Sequence, residues 1–324
     1  MAIGIASVLY IATSGLLSAL LLLLVWISDR YEREPLGLLI LSAAWGAVPA
    51  VLLSCFMESF LAAPMGSLFG GEAAAVATTV VFAPVVEEGV KAMALLLLIL
   101  FARAEFDDVL DGMVYGAAVG IGFSFVEDLL YFIGAVATGG LQTGFVVFLL
   151  RNLAFLLNHS LFTALTGIGF GLARVLYPRK ALGAACALGG VTLAILLHAL
   201  HNALGQFDTP GILLAFAIHW ASGFALLALV PLLWLFERKW VLQRLGREAG
   251  EGRIPEAALG LLPFMGRPAP PLAPDLRREA SKALLELAFA RRQWDDGWDD
   301  ESKHLEKVRA KIRGYFPPVP AVEG

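Results

Sequence analysis

Seven apolar runs, each about as long as a bilayer is thick, decide what this chain can fold into. They are Ile3–Ile27, Pro35–Met57, Ala73–Phe101, Val109–Ile133, Thr143–Tyr177, Ala181–Leu204 and Gly211–Phe236. A helix needs ~20 residues to cross ~30 Å of hydrocarbon. Backbone N–H and C=O groups find no water there, so a spanning segment must satisfy them internally. Charged residues make up 16% of the chain, against roughly 25% in soluble domains. The expected fold class is an all-α polytopic membrane protein with about seven transmembrane helices and a C-terminal cytosolic helical hairpin. Thr143–Tyr177 is long enough to be one tilted helix or a kinked pair. The start, "MAIGIASVLY", has no basic region and no small-residue cleavage site before "DRYERE", so the first run reads as a retained span. Cys55 and Cys186 fall inside spans and read as small apolar fillers. A net charge of -4 gives no reason to expect a nucleic-acid partner.

Basic residues set the expected orientation. One set of loops holds Arg30, Arg33, Arg103, Arg174, Arg179, Lys180, Arg238 and Lys239, whereas Glu58–Glu72, Gly134–Gln142 and Gly205–Pro210 hold no Lys or Arg. This is a positive-inside pattern. It predicts a multi-pass plasma-membrane protein, N-terminus outside and C-terminus in the cytosol. Of 24 Lys and Arg, 16 lie from Glu237 onward, so the tail is a different material. The expected domains are residues 1–240 transmembrane, 241–274 a Gly/Pro-rich linker, 275–316 a cytosolic helical hairpin and 317–324 a tail. Leu276, Ala280, Leu284 and Leu287 form one apolar stripe, and Leu305, Val308 and Ile312 another. "DDGW" separates them, and aspartates cap the second helix. A cytosolic partner or the inner membrane surface suits such helices.

Ionisable residues inside spans carry the chemistry, because a charge at a helix centre costs ~2.5–3.5 kcal/mol on insertion scales. "VFAPVVEEGVKAMALLLLIL" places Glu87 and Glu88 four and three residues before Lys91, which can neutralise either. The next span repeats Gly112, Gly116 and Gly120, a spacing that lets helices approach closely, and Glu127 follows seven residues later. Asn152 and His159 share a helix face on the fifth span. His198 and Asn202 share one on the sixth. Counting ~1.5 Å per residue places Glu127 and His198 in the outer half of the membrane, so the pocket is expected to open extracytoplasmically. Peptide hydrolysis needs a base for water, an acid for the leaving amine and donors for the oxyanion. Glutamate, histidine and asparagine supply these. No cofactor is required by that set, but Glu87, His159 and His198 would also make a zinc site with an open position. A proton or cation carrier is the rival class, yet no inverted repeat supports it.

In order, "PVVEEGVK", "DGMVYGAAVGIGFSFVED", "RNLAFLLNHSLFTALTG" and "HALHN" resemble the motifs of the PrsW intramembrane proteases, over about residues 81–204. The resemblance also implies membership of the wider Abi/CAAX-protease superfamily, as one of its branches. The resemblance implies a peptidase with Glu87, Glu88, Glu127, His159, His198 and Asn202 as catalytic residues. Lys91, Arg151, Asn152, Asp111, Tyr115 and His201 take supporting places. It further implies a single-span membrane protein as substrate, typically an anti-sigma factor, cleaved on the extracytoplasmic side. Asp128 stands where the family often has Asn, and His201 where an aromatic is common.

Overall fold

Helix is the only regular structure among the described residues, which are 2–176, 179–295 and 302–316 of this computed structural model. The elements are α1 (Ala2–Ser28), α2 (Leu36–Trp45), α3 (Val51–Phe69), α4 (Gly71–Ala77), α5 (Ala83–Phe101), α6 (Val109–Leu149), α7 (Asn158–Val175), α8 (Lys180–Leu204), α9 (Asp208–Gly250), α10 (Pro274–Asp295) and α11 (Ser302–Tyr315). Among the described residues five stretches are long and apolar enough to cross a membrane: Gly4–Ser28, Leu36–Leu68, Val109–Val175, Lys180–Leu204 and Asp208–Gly250. Gly71–Phe101, which carries Glu87, Glu88 and Lys91, is not among the five. The seven expected runs correspond to these five plus Gly71–Phe101, with Val109–Val175 divided at Gly140.

Proline and glycine punctuate the helices. A wide π-helical turn at Gly46–Ala50 contains Pro49 and joins α2 to α3; another at Thr78–Phe82 leads into α5, where Pro84 sits in the first turn. Proline lacks an N–H and its ring presses on the carbonyl four residues back, so the ladder widens at or just ahead of it. Gly140 breaks α6 with φ 79°, a conformation glycine adopts without a side-chain clash. A third π-helical turn, Leu150–Ala154, is followed by non-helical residues 155–157. The run expected over Thr143–Tyr177 is therefore, in its described residues 143–176, a broken pair rather than one tilted helix.

The chain divides into two compact units, one comprising residues 1–29 and 33–230, the other 30–32 and 231–324. In the first, α6 is the central helix, buried continuously from Leu110 to Phe123. Its glycine row meets α7. A Cβ at Gly112, Gly116 or Gly120 would run into the backbone of Gly167, Thr163 or His159, respectively. Gly122 meets the backbone of Ala43 in α2 in the same way. Backbone-to-backbone packing on both sides of α6 fixes where Glu127 and His159 emerge.

In the second unit, Val241, Leu245, Leu259, Leu284, Leu287 and Ile312 make one apolar core. α9 continues through Trp240 to Gly250, and the helical turns at Glu256–Leu261 pack into the same core, within the stretch expected as a linker. Both expected stripes are buried except Leu276, which is 41% exposed. Arg309 donates to both carboxylate oxygens of Glu248 at 2.7 and 2.6 Å, a planar bidentate pairing. The break at "DDGW" beyond Asp295, the capping aspartates and the tail 317–324 lie outside the described residues.

Candidate active site

Four helices of the first unit deliver polar side chains to one point. The i,i+3 and i,i+4 spacing on α5 does what the sequence requires: Lys91 Nζ donates to Glu88 Oε1 at 2.9 Å and to Glu87 Oε2 at 3.1 Å. All three residues are buried, Lys91 and Glu88 completely. Such a group is tolerable only when paired and hydrogen-bonded. Lys91 has a third acceptor, His159 Nδ1 of α7 at 2.9 Å, and its ammonium lies 3.6 Å from the centre of the Phe123 ring. Glu88 Oε2 also accepts from Thr163 at 3.4 Å.

The imidazoles are oriented by carboxylates. A carboxylate in an ion pair only accepts. His198 Nδ1–H of α8 therefore donates to Glu88 Oε1 at 3.0 Å, and His159 Nε2–H donates to Glu127 Oε2 of α6 at 2.9 Å. Each ring is left with one lone-pair nitrogen. His159 Nδ1 and His198 Nε2 each stand 3.9 Å from Glu87 Oε2. Glu127 is held in turn by Arg151, whose guanidinium bonds both Glu127 and Asp128 and covers the Tyr131 ring at 4.0 Å.

The chemistry of this donor set fits a divalent metal ion. Glu87, Glu88, His159 and His198 each offer a ligand atom, all within 4.8 Å of one another. Ligands bonded at ~2.1 Å to a tetrahedral ion lie about 3.4 Å apart, close to the two separations of 3.9 Å. Metal-binding histidines generally give the other ring nitrogen to a carboxylate, the arrangement that Glu88 and Glu127 supply. Formal charge agrees. Glu87, Glu88, Glu127 and Asp128 face two cations, Lys91 and Arg151, leaving two negative charges in excess with neutral imidazoles.

A cavity of ≈ 220 Å³ opens at this cluster, lined in part by Glu58, Thr78, Glu87, Glu127, His159 and His198. Not every expected site residue reaches it. Asp111 lies 16 residues from Glu127 on α6, about 24 Å away along the axis, and serves as a cap, its Oδ2 accepting from the Asp107 and Asp108 backbone N–H at 2.8 Å. Tyr115 donates to Glu34 in that same distant region. Asn152 donates to the Tyr10 hydroxyl at 3.1 Å, on the α1 side of its helix. Asn202 lines the cavity, and one N–H of its amide donates to the Thr79 carbonyl at 2.9 Å, tying α8 to the turn before α5; the amide nitrogen carries a second N–H. His201 pairs with Asn158 Nδ2 at 3.0 Å.

Glu58, absent from the sequence-derived set, lines the cavity from α3. The apolar run ends at Met57, and the stretch after it looks like a loop. The helix instead continues through Pro64 to Phe69, carrying Glu58 on a regular turn. A glutamate one residue beyond the run was the available signal.

Fold and site together define a polytopic membrane protein with a buried centre of carboxylates and imidazoles drawn from four helices. A family model described as PrsW family intramembrane metalloprotease matches residues 34–236, more than half of the chain. The chain belongs to that family. Among its relatives, Protease PrsW of Geobacillus kaustophilus (strain HTA426) is 30% identical over 155 residues, 48% of this chain and 62% of the relative. Protease PrsW of Clostridioides difficile (strain 630) is 34% identical over 124 residues, 37% and 49% of the two chains. That of Bacillus subtilis (strain 168) is 28% identical over 159 residues, 46% and 62%. The chain thus spans less than two thirds of each of these three relatives. No solved structure matches it.

Proposed function

We propose that the protein is an intramembrane endopeptidase that hydrolyses a peptide bond of a membrane-anchored substrate. The observation that carries this reading is the pair of carboxylate-oriented imidazoles whose lone-pair nitrogens both face Glu87 Oε2. His159, His198 and Glu87 would hold a divalent ion, which supplies Lewis-acid polarisation of the scissile carbonyl when bound. Glu88 and Glu127 are positioning residues that fix the two ring tautomers. Lys91 neutralises Glu87 and Glu88, and Arg151 does so for Glu127. Glu58, with no side-chain hydrogen bond or ion pair among the described residues, is the cavity carboxylate free to move a proton from the attacking water to the leaving amine.

A second reading is favoured by one contact. Lys91 Nζ already occupies the His159 Nδ1 lone pair, so the ammonium can serve as the resident cation while Glu87 itself takes the proton from water. Metal analysis of purified protein, with cleavage of candidate single-span substrates before and after chelation, separates the two. The first reading expects close to one divalent ion per chain, activity lost with chelator and regained with metal. Full cleavage by stripped protein would leave only the second.

The substrate is proposed to be a single-span membrane protein such as an anti-sigma factor. Placement within the Abi/CAAX superfamily belongs to the same proposal and rests on the order of motifs from Glu87 to Asn202. The cavity wall includes Glu58, Thr78 and Asn202, in or within a few residues of the stretches 58–72 and 205–210, which lack Lys and Arg. We read the side of those stretches as extracytoplasmic and the C-terminus as cytosolic, in the plasma membrane. A reporter fused after Gly324 is expected to report from the cytosol; an extracytoplasmic signal would reverse the orientation of the site.

A further inference from the structure

A second cavity adjoins the first. It measures ≈ 180 Å³, lies between α7, α8 and α9, and is walled mainly by Leu161, Leu165, Leu197, Leu204, Ala215 and Ile218. Asn158 and His201, hydrogen-bonded to each other at 3.0 Å, line both this cavity and the polar one. Phe162 makes a second link. It lines the apolar cavity, and its ring stacks on the His198 imidazole with centroids 4.9 Å apart and planes at 16°. A group bound in the apolar cavity is therefore one ring's thickness from a residue of the proposed centre.

We infer that this cavity is a side-chain subsite that takes a phenyl-sized apolar residue flanking the scissile bond. The inference rests on the endopeptidase reading and adds what that reading leaves open, a selection rule. Size supports it: a dry cavity of ~150 Å³ lined by Leu, Ile and Phe admits a benzene ring. The lining supports it as well: apart from Asn158, His201, His219 and Ser222 the walls are apolar, and apolar walls reward each buried methylene. Position decides between occupants. A lipid chain would gain nothing from the Asn158–His201 wall, whereas a peptide in the polar cavity can project a side chain past it.

The test uses the full chain in lipid nanodiscs with a single-span substrate whose residues flanking the cleavage point are changed one at a time to Ala, Leu, Phe or Trp. At one flanking position Phe and Leu are expected to be cleaved faster than Ala, roughly ten- to two-hundred-fold in kcat/KM, the range one pocket contact gives. Ala215, buried on α9, belongs to none of the proposed catalytic groups. Ala215→Phe should fill the pocket and erase that preference while the Ala substrate is still cleaved. Leu165→Ala should enlarge the pocket and shift preference toward Trp, and it answers the question if Ala215→Phe does not fold. An identical substrate profile in wild type and both variants overturns the subsite. So does loss of a co-purified lipid from Ala215→Phe with no change in profile, which assigns the cavity to an acyl chain. Glu87→Gln is the parallel control. If it blocks cleavage while no flanking position discriminates, the subsite falls and the endopeptidase reading stands; if it cleaves like wild type, the reading of the centre falls first.

Discussion

Glu87→Gln is expected to lower cleavage by ~10²–10⁴-fold, the usual contribution of a general acid–base group, while the protein still inserts and folds. The substitution keeps volume and hydrogen-bonding capacity and removes one charge. Glu87 is the common neighbour of three groups of the site: Lys91 Nζ at 3.1 Å, and the lone-pair nitrogens of His159 and His198 at 3.9 Å each. The same variant also divides the two chemistries. If Glu87 is a ligand, bound metal falls together with activity. If it is the base of a metal-free reaction, activity falls and no metal content changes. A variant that cleaves at the wild-type rate would remove Glu87 from the reacting centre altogether.

Lys91→Met should be the most damaging single change to stability. Removing one partner of a buried ion pair costs ~3–5 kcal/mol because the other charge is left uncompensated. Here two carboxylates and an imidazole lose their shared donor at once. Replacing both sides of a pairing is much milder. The triple variant Lys91→Met, Glu87→Gln, Glu88→Gln should accordingly recover most of the lost thermal stability and none of the activity. Melting in detergent, followed by intrinsic fluorescence, checks both. Equal melting of wild type and Lys91→Met would show that the ammonium does not hold the site together.

Much of this could be read in the residues because membrane insertion makes polar groups costly. Glu87, Glu88, Lys91, Glu127, His159 and His198 stood out as polar residues in apolar runs, and the structure brings these six to one point. Spacing along one helix gave Lys91 its partners. Spacing could not say which residues on different helices meet. Asp111 and Tyr115 lie on the same helix as Glu127, but one caps the helix start and the other serves Glu34. Asn152 shares a face with His159 only if the helix is continuous, and residues 155–157 interrupt it. Glu58 was hidden by the opposite error, a helix that outlasts its apolar run. Asn158 gave no signal beyond its place beside His159.

The seam between α6 and α7 has a consequence for how such a site can vary. At Gly112, Gly116 and Gly120 no side chain stands between the two backbones, so main-chain contact sets the helix separation. There is no rotamer to adjust and no methylene to trim. A repacked core can absorb a substitution by local rearrangement, but an added methyl here must push the two helices apart as bodies. Glu127 and His159 ride on those bodies, one on each. Their 2.9 Å bond is thereby wired to three positions that contribute no side chain to it. Mutational tolerance along the chain should therefore follow the seam rather than distance from the carboxylates.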